Sequence, residues 1–225
     1  QAYYQDGSNQ VDAMERPSEL QGWEFIESLN LEKLIESLST KGERYLKAKP
    51  APAGSMPVVL GNAFGGVIFH EACGHSLETT AVETKASVFS DSLHQVIANP
   101  VVSAVDDGTI DLAWGSLNID DEGRPTQKTQ LIKDGVLSNF IVDYVGHLKT
   151  GYQMTGSGRR ENYRFAPASR MRNTFIENGK SSIDEMISGI EDGLWAEDLG
   201  GGSVDTATGE FNFAVKGGYR IQNGK

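Results

Sequence analysis

The run GGVIFHEACGHSLE, residues 65–78, constrains the fold more than any other stretch. Two glycines open it, Val67, Ile68 and Phe69 follow, and His70, Glu71 and His75 come next in the order H-E-x-x-x-H. Apart from the motif residues the segment is apolar nearly all round, which predicts one buried, central helix over about 65–79. In a regular helix, residues four apart lie about 40° apart around the axis, and residues five apart about 140°. His70 and His75 are five apart and would point away from each other. Two backbone routes bring them together. One is a one-residue π-bulge. The other is a loosening at Gly74, where the missing Cβ tolerates unusual angles.

The residue types show why a shared face matters. Zinc takes neutral imidazole nitrogens and makes water easier to deprotonate. A neighbouring carboxylate takes that proton and delivers it to a leaving amine. Glu71 follows the first histidine, as the base does in the H-E-x-x-H zinc peptidase helix. His70 and His75 are therefore candidate metal ligands, and Glu71 a candidate general base. The alternative is a pair of satisfied core histidines. Against it, two of the chain's four histidines fall within six positions, and a buried Glu71 is costly without a cation.

Other reactive residues have duller explanations beside the sharp ones. Cys73 is either a ligand or nucleophile, or more simply a small core residue. His94 and His147 lie in strand-like surroundings and read as structural or surface. Arg159 and Arg160 are candidate substrate-binding residues, because guanidinium forks suit planar anions; a solvated loop pair is the alternative. Asp106-Asp107 and Asp120-Asp121 precede Gly or Glu-Gly and are most simply turn residues, with calcium binding as the other reading.

Around the motif, residues 1 to about 20 read as an irregular lead-in. Leu31, Leu34, Ile35 and Leu38 mark an amphipathic helix over about 22–46, with Asn30 as an N-cap for its second half. AKPAPAGSMP, 48–57, carries three prolines in ten residues and reads as an extended linker. From 87 to 143 short strand-like runs alternate with turns: HQVIA, VSAVDDG, IDLAWGSLNIDDEG and QLIKDGVLSNFIVDYV. KDG at 133–135 is the clearest hairpin. TGSGRRENYRFAP, 155–167, reads as a loop. Ser182 and Glu185 form a capping box that opens a second amphipathic helix, ended by Gly193. Two or three strands follow around Gly217-Gly218. This order predicts an α+β fold with a mainly antiparallel sheet, a central buried motif helix and two amphipathic helices.

Composition narrows function by exclusion. The 225 residues include 31 acidic and 20 basic side chains, a net charge of −11. Such a surface disfavours nucleic acid and anionic lipid. No apolar run approaches the roughly 18 residues of a membrane span. The single cysteine allows no internal disulfide and suits a cytoplasmic location.

The motifs MPVVLGNAFGGVIFHEACGHSLE, SVFS, AVDDGT, GSLNIDDEG, TGSGRRENY, SRMRNT and GGGSVD together resemble the TldD/PmbA family of bacterial and archaeal zinc peptidases, also described as modulators of DNA gyrase. The likeness runs from about residue 10 to the end. PmbA (TldE) paralogues lack H-E-x-x-x-H, so His70, Glu71 and His75 place the chain on the TldD side. The resemblance implies a cytosolic zinc peptidase with an N-terminal and a C-terminal catalytic domain, working with a TldE/PmbA-like partner subunit or as a homodimer. It implies cleavage of unfolded or short peptides with little sequence preference, the substrate held as an added strand in a closed channel. Some bacterial members trim the leader of a modified peptide antibiotic precursor. It also assigns zinc to His70 and His75, and the base role to Glu71.

The family's third ligand is a cysteine in a CG segment, expected downstream of Lys225, and Cys73 lies in the wrong place to replace it. The chain starts at Gln1, and its last turn signal, Asn223-Gly224, has no strand after it. The 225 residues are thus expected to be part of one C-terminal metallopeptidase domain, truncated at both ends and without the N-terminal domain, with 1–57 as lead-in, helix and linker. Alone, they are expected to bind zinc weakly and to show little activity. The competing functions are a non-catalytic binding or modulator subunit with structural histidines, and a metal amidase acting on small substrates.

Overall fold

A computed structural model describes residues 1–225, apart from the side chain of Ala63. The lead-in is not irregular. Strands β1 (Ala2–Asp6) and β2 (Asn9–Ala13) form an antiparallel hairpin. The expected long helix is two helices, α1 (Trp23–Ser28) and α2 (Leu31–Lys47). Leu29 is extended between them, and Asn30 restarts the helix by accepting the Lys33 N–H on Oδ1 at 3.0 Å. Such a cap satisfies one of the four unpaired donors at a helix start. Residues 48–57 hold no regular element, as three prolines require, and β3 follows (Val58–Leu60). The apolar stripe of α2 is only partly buried, since Leu31 and Ile35 remain exposed. The helix instead buries Gly42 and Tyr45, and the Tyr4 ring occupies the space a Gly42 side chain would need.

The motif segment contains α3 (Val67–Phe69), and α4 (Thr79–Val82) comes after it. Then come β4 (Ala104–Asp107), β5 (Lys128–Lys133) and β6 (Val136–Leu137). The KDG hairpin forms as expected: Lys133 pairs with Val136, and Asp134 and Gly135 both take positive φ, 48° and 81°. That is the backbone a tight hairpin turn needs. HQVIA and IDLAWGSLNIDDEG are not strands but turns with single bridges at Val96 and Ile119. Helix α5 (Tyr144–Thr150) follows, capped by Asp143 and ended by Gly151 at φ 76°. Within the arginine-rich loop, β7 (Gly158–Arg159) pairs with β8 (Ala168–Ser169), and β9 (Asn173–Ile176) comes next.

The Ser182–Glu185 capping box opens α6 (Ile183–Ser188). The helix stops at Gly189 rather than Gly193, which lies in β10 (Asp192–Val204). Strand β11 (Phe211–Gln222) closes the chain. Four sheets result, ordered β1-β2, β11-β10-β3, β6-β5-β4-β9 and β7-β8. The pairs β1–β2, β4–β5, β4–β9, β5–β6 and β7–β8 are antiparallel, and β10 runs parallel to β3. The fold is α+β with several antiparallel sheets, as expected.

The chain divides into two compact units, one of residues 1–61, 182–199 and 215–225, the other of 62–181 and 200–214. The second unit carries the motif. Its core gathers Phe69 and Leu77 from the motif segment with Leu131, Leu137, Phe140 and Ile141. The motif segment is therefore central. β4 lies between β5 and β9, so Asp106 and Asp107 are buried strand residues and not turn residues. Asp106 Oδ1 accepts from the Arg172 N–H and the Thr174 hydroxyl, and Asp107 Oδ1 accepts from the Thr109 N–H and hydroxyl. Those bonds offset the cost of burying carboxylates. Asp120 does make a turn: Oδ1 accepts the Glu122 and Arg124 N–H groups, while Oδ2 takes the Gly158 N–H from the arginine-rich loop.

Candidate metal centre

The motif helix is a composite. A 3-10 turn (Ala63–Gly66) leads into α3, the backbone widens into a π turn over His70–Gly74, and a 3-10 turn over His75–Leu77 tightens it again. The His75 N–H donates to the His70 carbonyl, five residues back. A bond of that span is a π turn, and it restores a shared face to residues five apart. Of the two routes open to the sequence, the chain takes the bulge. Gly74 stays in ordinary right-handed helical space, at φ −51° and ψ −57°. Its contribution is steric, because a Cβ there would stand 2.1 Å from Met171 Sδ. A bare Cα lets the Met171 thioether pack directly on the π turn.

The imidazoles of His70 and His75 consequently meet edge to face, 4.7 Å between centroids at 87°. Glu71 Oε2 lies 3.8 Å from His75 Nε2. One ligand atom from each of the three residues lies within 4.8 Å of the others, and all three side chains are half-buried. Two nitrogens on one zinc lie no more than about 4.2 Å apart, so ligand atoms within 4.8 Å of one another are near the spacing a metal requires. Two imidazoles and a carboxylate are donor types that zinc takes.

The two histidines differ electrostatically. Burial, helped by the neighbouring His75, holds the His70 pKa below the ordinary imidazole value. His75 is pushed the other way, chiefly by its hydrogen bond to the Glu78 carboxylate, which outweighs burial. Burial pushes the Cys73 thiol up to about 11, so it stays protonated; it packs against the core and stands outside the histidine cluster.

Glu78, which no motif in the sequence marks, is the further acidic residue at the cluster. The residue is 3 % exposed, and its carboxylate lies 3.2 Å from His75 Nδ1. The backbone around it is pinned: Leu77 accepts the Ile141 N–H at 2.8 Å, and the Thr79 N–H reaches the Ile141 carbonyl at 2.9 Å. The signal available in sequence was only an acid three residues after His75. An open cleft of about 450 Å³ is lined by Glu71 and His75 of the cluster, by Glu78 and Arg170, and by Gly202–Val204 of β10.

The two loop arginines part company. Arg159 sits exposed on β7, and its charge acts on His70. Arg160 is tied into its own loop, its N–H on Asp121 Oδ2 and its guanidinium on the Phe165 carbonyl. His94 lies in a turn at φ 65°. His147 is not in a strand but in α5, where Nδ1 meets the Tyr152 carbonyl at 2.7 Å. Neither belongs to the His70–Glu71–His75 cluster.

Residues 53–225 match the family model described as the PmbA/TldA metallopeptidase C-terminal domain. The chain belongs to this family. The resemblance seen in the motifs is thereby confirmed. The TldD metalloprotease homologue of Haemophilus influenzae is 43% identical over 180 residues, covering 80% of this chain and 37% of that protein. A zinc metalloprotease TldD homologue of Saccharolobus solfataricus is 29% identical over 219 residues, covering 97% of the chain and 48% of that protein. The chain therefore spans less than half the length of these relatives. The crystal structure of TldE from Thermococcus kodakarensis superimposes with a TM-score of 0.74 at 24% identity, over 88% of this chain and 45% of that one, which shows a shared fold.

Proposed function

We propose that this chain is the motif-bearing part of a TldD-type zinc peptidase, in which His70 and His75 hold the metal and Glu71 is the general base. The observation that carries the reading is the π-turn hydrogen bond from the His75 N–H to the His70 carbonyl, which turns an unfavourable spacing into one face. The relatives named as metalloproteases, one of them as a zinc enzyme, support it. Zinc, when bound, supplies Lewis acidity that makes water a nucleophile near neutral pH. Glu71 Oε2 accepts the proton lost by the attacking water and returns it to the leaving amine nitrogen. Burial lowers the His70 pKa and so favours the neutral ring that a metal takes. Arg159, exposed and close enough to act on His70, orients the substrate backbone or terminus; Arg160 braces the loop that carries it.

The substrates are unfolded or short peptides, read with little sequence preference. Gly202–Val204 of β10 lines the cleft, while β3 pairs with β10 only at Leu194–Ala196. A peptide added along that stretch is held by main-chain bonds, which are indifferent to side chains. The partner is a TldE/PmbA-like subunit or a second copy of the chain, a reading supported by the fold shared with TldE. The proposed location is the cytoplasm, in keeping with the single cysteine, and the net charge of −11 leaves no direct role for nucleic acid or anionic membrane. Among the described residues no helix is long and apolar enough to cross a membrane.

The third zinc ligand is a cysteine beyond residue 225 of the whole protein. Two histidines alone fall short of the three protein ligands that catalytic zinc sites use. The isolated 225 residues should therefore bind zinc far more weakly than the full-length protein and cleave peptides little or not at all. Competition titration against a chromophoric chelator checks this, and nanomolar zinc binding by the isolated chain would refute it.

A further inference from the structure

We propose that Glu78 is the positioning residue of the metal centre, fixing the His75 ring so that Nε2 faces the metal. This inference rests on the zinc reading above. His75 has two ring nitrogens, and only one can face the cluster. Nδ1 meets Glu78 Oε2 at 3.2 Å, while Nε2 is the nitrogen on the side of Glu71. A carboxylate only accepts, so Nδ1 carries the hydrogen and Nε2 keeps its lone pair. Ligating histidines are commonly held in this way, through the ring nitrogen that is not on the metal.

Glu78 is itself immobilised. Oε2 also accepts from Arg170 Nη1 at 3.1 Å, and Oε1 accepts the Met171 N–H at 3.3 Å. Three donors converge on one buried carboxylate, and its backbone sits between the two bonds to Ile141. That set has a consequence for substitution. Glutamine keeps the size but exchanges one acceptor oxygen for an NH₂ group, so at least one of the three donors then faces another donor. Arg170 and Met171 thus support the metal site at one remove. Arg170 reaches Glu78 from 92 positions away in sequence, which binds the β8 end of the loop to the motif.

The test uses the full-length protein. In Glu78→Gln, zinc affinity measured by chelator competition should fall about 10–100-fold, and the absorption bands of the cobalt-substituted site should shift. Glu83→Gln, which removes a carboxylate bonded to Lys149 and outside the His70–Glu71–His75 cluster, should change neither. Because Glu78→Gln risks misfolding, histidine ¹⁵N NMR of the zinc-loaded wild type provides a second arm. It should show His75 ligated through Nε2 with Nδ1 protonated. Ligation through Nδ1, or a folded Glu78→Gln protein with unchanged affinity and cobalt spectrum, overturns the positioning role while leaving the zinc site standing. A wild-type protein that binds no zinc overturns both.

Discussion

Glu71→Gln lowers peptide hydrolysis by the full-length protein about 10²–10⁴-fold, the range expected for removing a positioned general base. Glutamine preserves the volume and the half-buried setting of the side chain but cannot take up a proton. The π turn is held by backbone bonds and by Met171 packed over Gly74, neither of which involves the Glu71 carboxylate. Zinc content and thermal stability should therefore remain near those of the wild type, and the loss should appear in kcat more than in KM. Steady-state assays on a fluorogenic peptide, with metal content measured on the same samples, check this. Undiminished turnover at full zinc occupancy removes Glu71 from the base role and favours a binding subunit.

Phe140→Ala destabilises the protein by about 3–5 kcal/mol, the usual cost of emptying a buried aromatic site. Phe140 is 2 % exposed and lies 5.1 Å, centroid to centroid, from the Tyr152 ring. It is followed by Ile141, whose N–H and carbonyl bind Leu77 and Thr79 on either side of Glu78. The cavity would thus open beneath the segment that seats the motif, and zinc affinity should fall along with stability. A lower urea midpoint with an unchanged slope reads the effect as stability rather than as a changed unfolded state. A loss under about 1 kcal/mol would show that this core does not carry the site.

The parts of the fold legible in sequence are those set by neighbours along the chain. The Asn30 cap, the Ser182–Glu185 box and the Asp134-Gly135 turn each need only three or four residues, and each forms. The need for an irregular backbone between His70 and His75 is legible from their five-residue spacing, but the choice between a π turn and a loosening at Gly74 is not, and the structure takes the π turn. What sequence hid depends on distant partners. The β1–β2 hairpin looked irregular because no apolar alternation marks it; its strands are specified by pairing with each other and by α2. Asp106 looked like a turn residue because its satisfying donors, on Arg172 and Thr174, lie 66 and 68 residues away. Glu78 was invisible for the same reason, since two of its three donors come from Arg170 and Met171. Gly193 read as a helix stop, yet it serves where β10 runs close to the Pro57 carbonyl, which stands 2.6 Å from where a Cβ would be. The family resemblance supplied roles for residues whose geometry no periodicity predicts, and the structure supplied the backbone that makes those roles workable.

Elemental mass spectrometry of the full-length protein beside its His70→Ala variant tests the central claim most directly. About one zinc per wild-type chain, lost in the variant while the fold persists, is the result this account predicts. A wild-type protein without zinc, or a variant that retains it in full, would contradict the account and return His70 and His75 to the role of packed core histidines.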